Sequence, residues 1–178
     1  LSDLEQVERE FMAMRKLALR PHSGLKPASR LYYGREVGAI VSGYIEGMTW
    51  ALIENLSFED NILIMLQVAE ALHHLHTQAG LIHGDIHLRN VLIDGHGKAH
   101  LIDFSNSVEI QSNEFTAYDV QMLAMSTMAK LAGMDGLPPD GVFPVDEDLI
   151  PAWFLNLFDN VLQDQVTCMT EVIAAIKE

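Results

Sequence analysis

The 178-residue chain is 49% apolar and 20% charged, which is enough for one domain with a real core and excludes a disordered polypeptide. The net charge of −14 is uneven: residues 1–102 hold 9 basic against 12 acidic side chains, and residues 103–178 hold 2 against 13. So acidic a C-terminal half repels phosphate backbones and excludes nucleic acid as an expected partner.

Residues 3–19 are predicted to form a helix, with Leu4, Val7, Phe11, Met14 and Ala18 at helical spacing. Pro21, Gly24 and Pro27 then break the chain. Two strands, 29–33 and 37–45, are expected around a Gly34-Arg35-Glu36 turn. Ser57 followed by Asp60 is a weak capping box. It opens a long helix running to about Gln78 and closed by Gly80. Two short apolar runs, 90–93 and 98–102, flank the hairpin turn Asp94-Gly95-His96-Gly97. Helices are expected over 117–132 and, in one or two pieces, over 147–177. Strands and helices are segregated along the chain, so the fold class is α+β. No apolar run reaches the roughly 18 residues of a membrane span. The start Leu1-Ser2-Asp3-Leu4-Glu5 has neither region of a signal peptide. The single cysteine, Cys168, can form no internal disulfide, so a reducing, cytoplasmic setting is expected.

The stretch richest in chemistry runs from Leu81 to Asp94 and resumes at His100. Asp85 and Asn90 lie five residues apart on a loop between a buried helix and a hairpin, so both can face one cavity. Asp103, 18 residues after Asp85, leaves the far strand of that hairpin beside them. Two carboxylates and a carboxamide are the hard oxygen donors that magnesium takes, with phosphates and water completing its shell. Phosphoryl transfer asks for little more than such a metal and a carboxylate to orient the attacking hydroxyl.

His83-Gly84-Asp85-Ile86-His87-Leu88-Arg89-Asn90 and Asp103-Phe104-Ser105 resemble the catalytic loop and the metal motif of the protein-kinase-like superfamily. The resemblance implies a kinase-like α+β fold. Residues 1–47 would form a partial N-lobe with a reduced or truncated sheet, and residues 48–178 a mostly helical C-lobe. It implies ATP and Mg2+ as cofactors, with Asp85 as catalytic base and Asn90 and Asp103 as metal ligands. Glu10 looks like the helix glutamate that pairs with the phosphate-clamping lysine. Ser42, Gly43, Tyr44 and Ile45 look like the hinge that holds adenine through its backbone, with Leu92 under the ring. His83, Phe104 and Asp119 would support the site, Asp119 by receiving backbone N–H groups of the catalytic loop. The implied reaction transfers the γ-phosphate of ATP to a hydroxyl, on a protein serine, threonine or tyrosine ahead of a small molecule.

The pattern departs from the family in four places. Nine residues precede Glu10 and none is Gly or Lys, so the Gly-rich loop and its lysine are expected upstream or replaced. Gly84 stands where the family has an arginine that reads loop phosphate, so phosphorylation switching is not expected. Ser105 replaces the last glycine of the metal motif, which is expected to stiffen that loop. Only 16 residues separate Asp103 from Asp119 and no Ala-Pro-Glu occurs, so a peptide platform is expected to be minimal. Three rival readings follow. One is a pseudokinase serving as a nucleotide-binding or scaffold module. The second is an aminoglycoside- or choline-type small-molecule kinase, for which His-Gly-Asp-x-His is similar. The third is a zinc hydrolase built on His73, His74, His76, His83 and His87.

Overall fold

The computed structural model describes residues 3–34 and 38–178, so the predicted turn at 34–36 and Val37 lie largely outside the described residues. The first helix, α1 (Asp3–Leu19), packs Ala13, Met14 and Leu17 inward against a two-stranded antiparallel sheet, β1 (Ala28–Tyr33) and β2 (Gly38–Ser42). The second strand is shorter than its apolar sequence suggests: it ends at Ser42, and residues 43–46 form an irregular link. A third strand, β3 (Gly47–Thr49), then leaves for a different sheet. Gly47 is required there, because a Cβ would stand 2.2 Å from the Ile93 carbonyl oxygen.

The helical body centres on α2 (Phe58–His74). Its capping box is complete: the Asp60 N–H donates to Ser57 Oγ at 3.0 Å, and the Ser57 N–H donates to Asp60 Oδ2 at 3.1 Å. Ile62, Met65, Val68, Ala69 and Leu72 bury one side, each larger side chain contributing about 1.5–3 kcal/mol of transfer free energy. Trp50 is fully buried before this helix, its Nε1–H donating to Asn61 Oδ1 at 2.9 Å. The regular helix stops at His74, four residues short of expectation. A single wide turn of π type, Leu75–Ala79, carries the chain to Gly80, whose φ of 66° ends it. The remaining helices are α3 (Asn113–Leu131), α4 (Ala152–Leu162) and α5 (Met169–Lys177), with α3 and α5 packed on α2. The third helix starts four residues before its apolar pattern does.

Between α2 and α3 lie four short strands: β4 (Leu81–Ile82), β5 (Val91–Asp94), β6 (Ala99–Leu101) and β7 (Val108–Glu109). Strands β3, β5 and β6 form one antiparallel sheet, and β4 pairs with β7. Asp94 organises the hairpin turn: its Oδ1 accepts from the N–H groups of His96 and Lys98, and its Oδ2 from His100 Nε2 at 2.8 Å. These donors, His100 foremost, hold its carboxyl well below the usual carboxylate range. The architecture is α+β, a small two-stranded N-terminal layer on a mostly helical body.

The loop from α1 to β1 is fastened to this hairpin. The Leu101 N–H donates to the Gly24 carbonyl at 2.9 Å, and Leu25 bridges Leu101 in parallel. Gly24 fits closely, with a Cβ position only 3.2 Å from both the Ala71 Cβ and the Ala99 oxygen. The Gly24 N–H donates to His22 Nδ1 at 3.1 Å. Burial, with the nearby His74 and Lys98, lowers the His22 pKa from 6.5. The unfolded chain therefore takes up this proton first, and stability is lost as pH falls below about 6.5. Thermal unfolding at pH 7.5 and 5.5 should show a smaller acid-induced drop for His22→Gln than for the unsubstituted chain; equal drops would remove His22 from this account.

Candidate functional site

The loop after β4 alternates anchors with functional groups. Ile86 and Leu88 are buried in the core, 0% and 1% exposed, which turns Asp85, His87 and Arg89 the other way. Their backbone is tied as well: Ala51 N–H donates to the Leu88 carbonyl, and Ser126 Oγ donates to that of Ile86. Asn90 closes the loop, its Nδ2 donating to the Asp85 carbonyl at 3.0 Å and lying 3.4 Å from Asp85 Oδ2. Asn106 Nδ2 donates to the same Oδ2 at 3.2 Å. Asp85 Oδ1 carries no hydrogen bond from a described residue, and His87 Nε2 stands 3.8 Å from it.

The Ile102 N–H donates to the Asn90 carbonyl at 3.0 Å, which sets Asp103 one residue from Asn90's partner. Asp103 adopts a left-handed φ of 64°, unfavourable for a side chain with a Cβ. Its Oδ1 offsets this by accepting from Ser105 Oγ at 2.6 Å and Ser105 N–H at 3.2 Å. Asp103 Oδ2 and the carboxamide oxygen of Asn90 are left as hard donors, a set that fits a magnesium ion completed by phosphate oxygens and water.

Asp119 sits under this loop, 0% exposed and six residues inside α3, not at its N-terminus. It accepts from the His83 N–H at 2.8 Å, the Gly84 N–H at 2.9 Å and His76 Nε2 at 2.8 Å. Three donors offset the cost of burying a carboxylate. His83 is equally buried; its Nε2–H donates to the Ile102 carbonyl at 3.1 Å, and its ring lies 5.0 Å from that of Phe104. Burial lowers its pKa from 6.5, against the nearby Asp119 charge and the bond to Ile102. Gly84 has a φ of 79°, and a Cβ there would meet the Asn106 carbonyl oxygen at 2.6 Å. An arginine at this position has no room.

A cleft of about 550 Å³ lies between β2, the 43–46 link and the β5–β6 hairpin. It is lined by Ser42, Gly43, Tyr44, Ile45 and Leu92, and at its other end by Glu10, Asp103 and Phe104. Tyr44 is 90% exposed, whereas Ile45 beside it is partly buried and lines the cleft. Glu10 has its pKa raised from 4.5, first by burial and then by the charge of Asp103, against which the Phe104 N–H donates to it. Asp85 and Asn90 stand beside the cleft, outside its lining.

A family model described as "Protein kinase domain" matches residues 2–127, well over half of the chain. The chain belongs to the protein kinase domain family. Local relatives agree. Serine/threonine-protein kinase PSK2 of Saccharomyces cerevisiae is 41% identical over 56 residues, 32% of this chain and 5% of that protein. A dual serine/threonine and tyrosine protein kinase of Apis mellifera is 47% identical over 49 residues, 28% and 5%. MAP kinase kinase kinase SSK2 of S. cerevisiae is 31% identical over 113 residues, 59% and 7%. The chain thus spans no more than 7% of the length of any of these three relatives.

Glu10, Ser42 to Ile45, Leu92, Asp103 and Phe104 thus line one cleft of this kinase domain, while Asp85, Asn90, His83 and Asp119 lie outside that lining and are linked to Ile102 and to one another by hydrogen bonds. The zinc reading finds no support in this geometry. His74 bonds the Arg20 carbonyl, His76 bonds Asp119 and His83 bonds Ile102. Among the described residues no three histidine, cysteine or acidic side chains are placed to share a metal. Asn106 and Lys26, which lines the cleft, are the functional candidates the sequence reading missed. No described helix is long and apolar enough to cross a membrane.

Proposed function

We propose that this kinase domain is an ATP- and magnesium-dependent phosphotransferase that transfers the γ-phosphate to a hydroxyl. Residues 1–47 would act as a partial N-lobe over a C-lobe of residues 48–178, in a cytoplasmic setting. The observation that carries the reading is that Asp103 lines one end of a cleft whose other end offers backbone groups and Leu92, with Asn90 bonded to the neighbouring Ile102 and to Asp85. Magnesium, when bound, neutralises phosphate charge, and Asn90 and Asp103 Oδ2 are the groups that would hold it. Leu92 supplies the apolar floor for adenine, and the backbone of Gly43 to Ile45 supplies its hydrogen bonds. Asp85 orients the acceptor: Asn90 and Asn106 occupy Oδ2, which leaves Oδ1 to receive the hydroxyl proton. The hydroxyl oxygen bonds to the γ-phosphorus as the bond to the β,γ-bridging oxygen breaks, and ADP leaves. The similarity to a serine/threonine-protein kinase and to a dual serine/threonine and tyrosine protein kinase favours a protein serine, threonine or tyrosine over a small-molecule acceptor.

Calorimetric titration of the 178-residue chain with ATP, with and without magnesium, tests the reading. Binding is expected to require magnesium and to disappear in Asp103→Ala. A folded chain that takes up no ATP would instead be a scaffold module, and the enzyme reading would be withdrawn.

A further inference from the structure

We propose that Lys26 is a phosphate-contacting residue of the cleft, supplying a cation from the α1–β1 loop; this rests on the nucleotide reading above. Lys26 lines the same cleft as Glu10 and Asp103, and among the described lining residues it is the one basic side chain. It is partly buried and makes no ion pair with a described residue. Its backbone, by contrast, is fixed. Leu25 is 2% exposed and bridges Leu101 in parallel, and Lys26 follows it in a cleft lining shared with Ile102 and Asp103. Gly24 is pressed against Ala71 and Ala99, and Pro27 follows with its restricted φ. The loop is therefore a rigid mount, and only the lysine side chain is free to adjust.

Charge gives the mount a purpose. Glu10 and Asp103 put two carboxylates in the lining of one cleft, and these repel a polyphosphate wherever no cation stands between. A cation with three donors at the Asp103 end reverses this repulsion where phosphates would lie, and a lysine suits a phosphate as a compact point charge. Adenine at the hinge end gains nothing from it. Lys26 should therefore distinguish nucleotides by their phosphates.

The test titrates the 178-residue chain, Lys26→Met and Lys26→Arg with magnesium-ATP and with adenosine, folding being checked by thermal unfolding. Lys26→Met is expected to weaken ATP binding by roughly 10- to 100-fold, to leave adenosine binding unchanged, and to be largely rescued in Lys26→Arg. Lys26→Gln runs in parallel, so that a folding defect of the first variant does not decide the outcome. Undiminished ATP binding in a folded neutral variant overturns the role of Lys26 while the nucleotide site stands. Equal losses for ATP and adenosine also overturn it, since the lysine would then only shape the cleft. An unsubstituted chain that shows no magnesium-dependent ATP binding removes the nucleotide reading itself, and this inference with it.

Discussion

Asp85→Asn is expected to lower phosphate transfer by roughly 100- to 10,000-fold, the span covered by a positioned general base, while ATP binding is unchanged. The substitution keeps the shape of the side chain and an oxygen to accept from Asn106, and the Asn90 bond to the residue's own carbonyl does not depend on the carboxylate. What it removes is the basic Oδ1, the atom with no hydrogen bond from a described residue. Single-turnover transfer at saturating ATP, beside a direct ATP titration, separates the two effects. Transfer at the unsubstituted rate would deny Asp85 its role as base. Loss of ATP binding would show that the carboxylate holds the site together instead.

Asp119→Ala carries the largest expected cost in stability. The substitution strands three buried donors at once: His76 Nε2–H and the N–H groups of His83 and Gly84. Each unsatisfied buried donor costs about 1–3 kcal/mol, so the total should be at least about 3 kcal/mol. At about 2–4 °C per kcal/mol for a chain of this size, that minimum corresponds to a fall of roughly 6–12 °C in the melting midpoint. Asp119→Asn should not rescue it fully, because an amide offers one acceptor to donors that need two and turns its own N–H groups toward them. Thermal and urea unfolding of both variants check this, and a shift of a degree or less would mean that water replaces the carboxylate.

The site was legible in the sequence where its residues are close along the chain. Asp85 and Asn90 share a loop whose alternation of apolar and polar residues is visible in Ile86 and Leu88. Asp103 follows a hairpin announced by its Asp-Gly turn. Asn106 was not legible, because it meets Asp85 only after β4 and β7 pair, and two-residue strands carry no periodic signal. Lys26 was hidden for a related reason: one parallel bridge between Leu25 and Leu101 brings it to the cleft, and no spacing rule encodes such a bridge. Strand β2 was read too long because Tyr44 and Ile45 have strand propensity, yet the link they form must turn away so that β3 can pair with β5. The start of α3 was missed because its first turn lacks the apolar spacing of the rest, although Ser112 is an N-cap residue type that could have marked it.

The contact between Gly84 and Asn106 has a dynamic consequence. No atom can be added at Gly84 without displacing the Asn106 carbonyl, and Asn106, Ser107 and β7 are each bonded to the 81–85 stretch. The segment after the metal motif and the loop that carries Asp85 therefore open as one cooperative unit. A rearrangement of that segment would drag Asp85 with it. The whole unit would then be engaged or released together, without a graded intermediate in which Asp85 is set and the segment is loose.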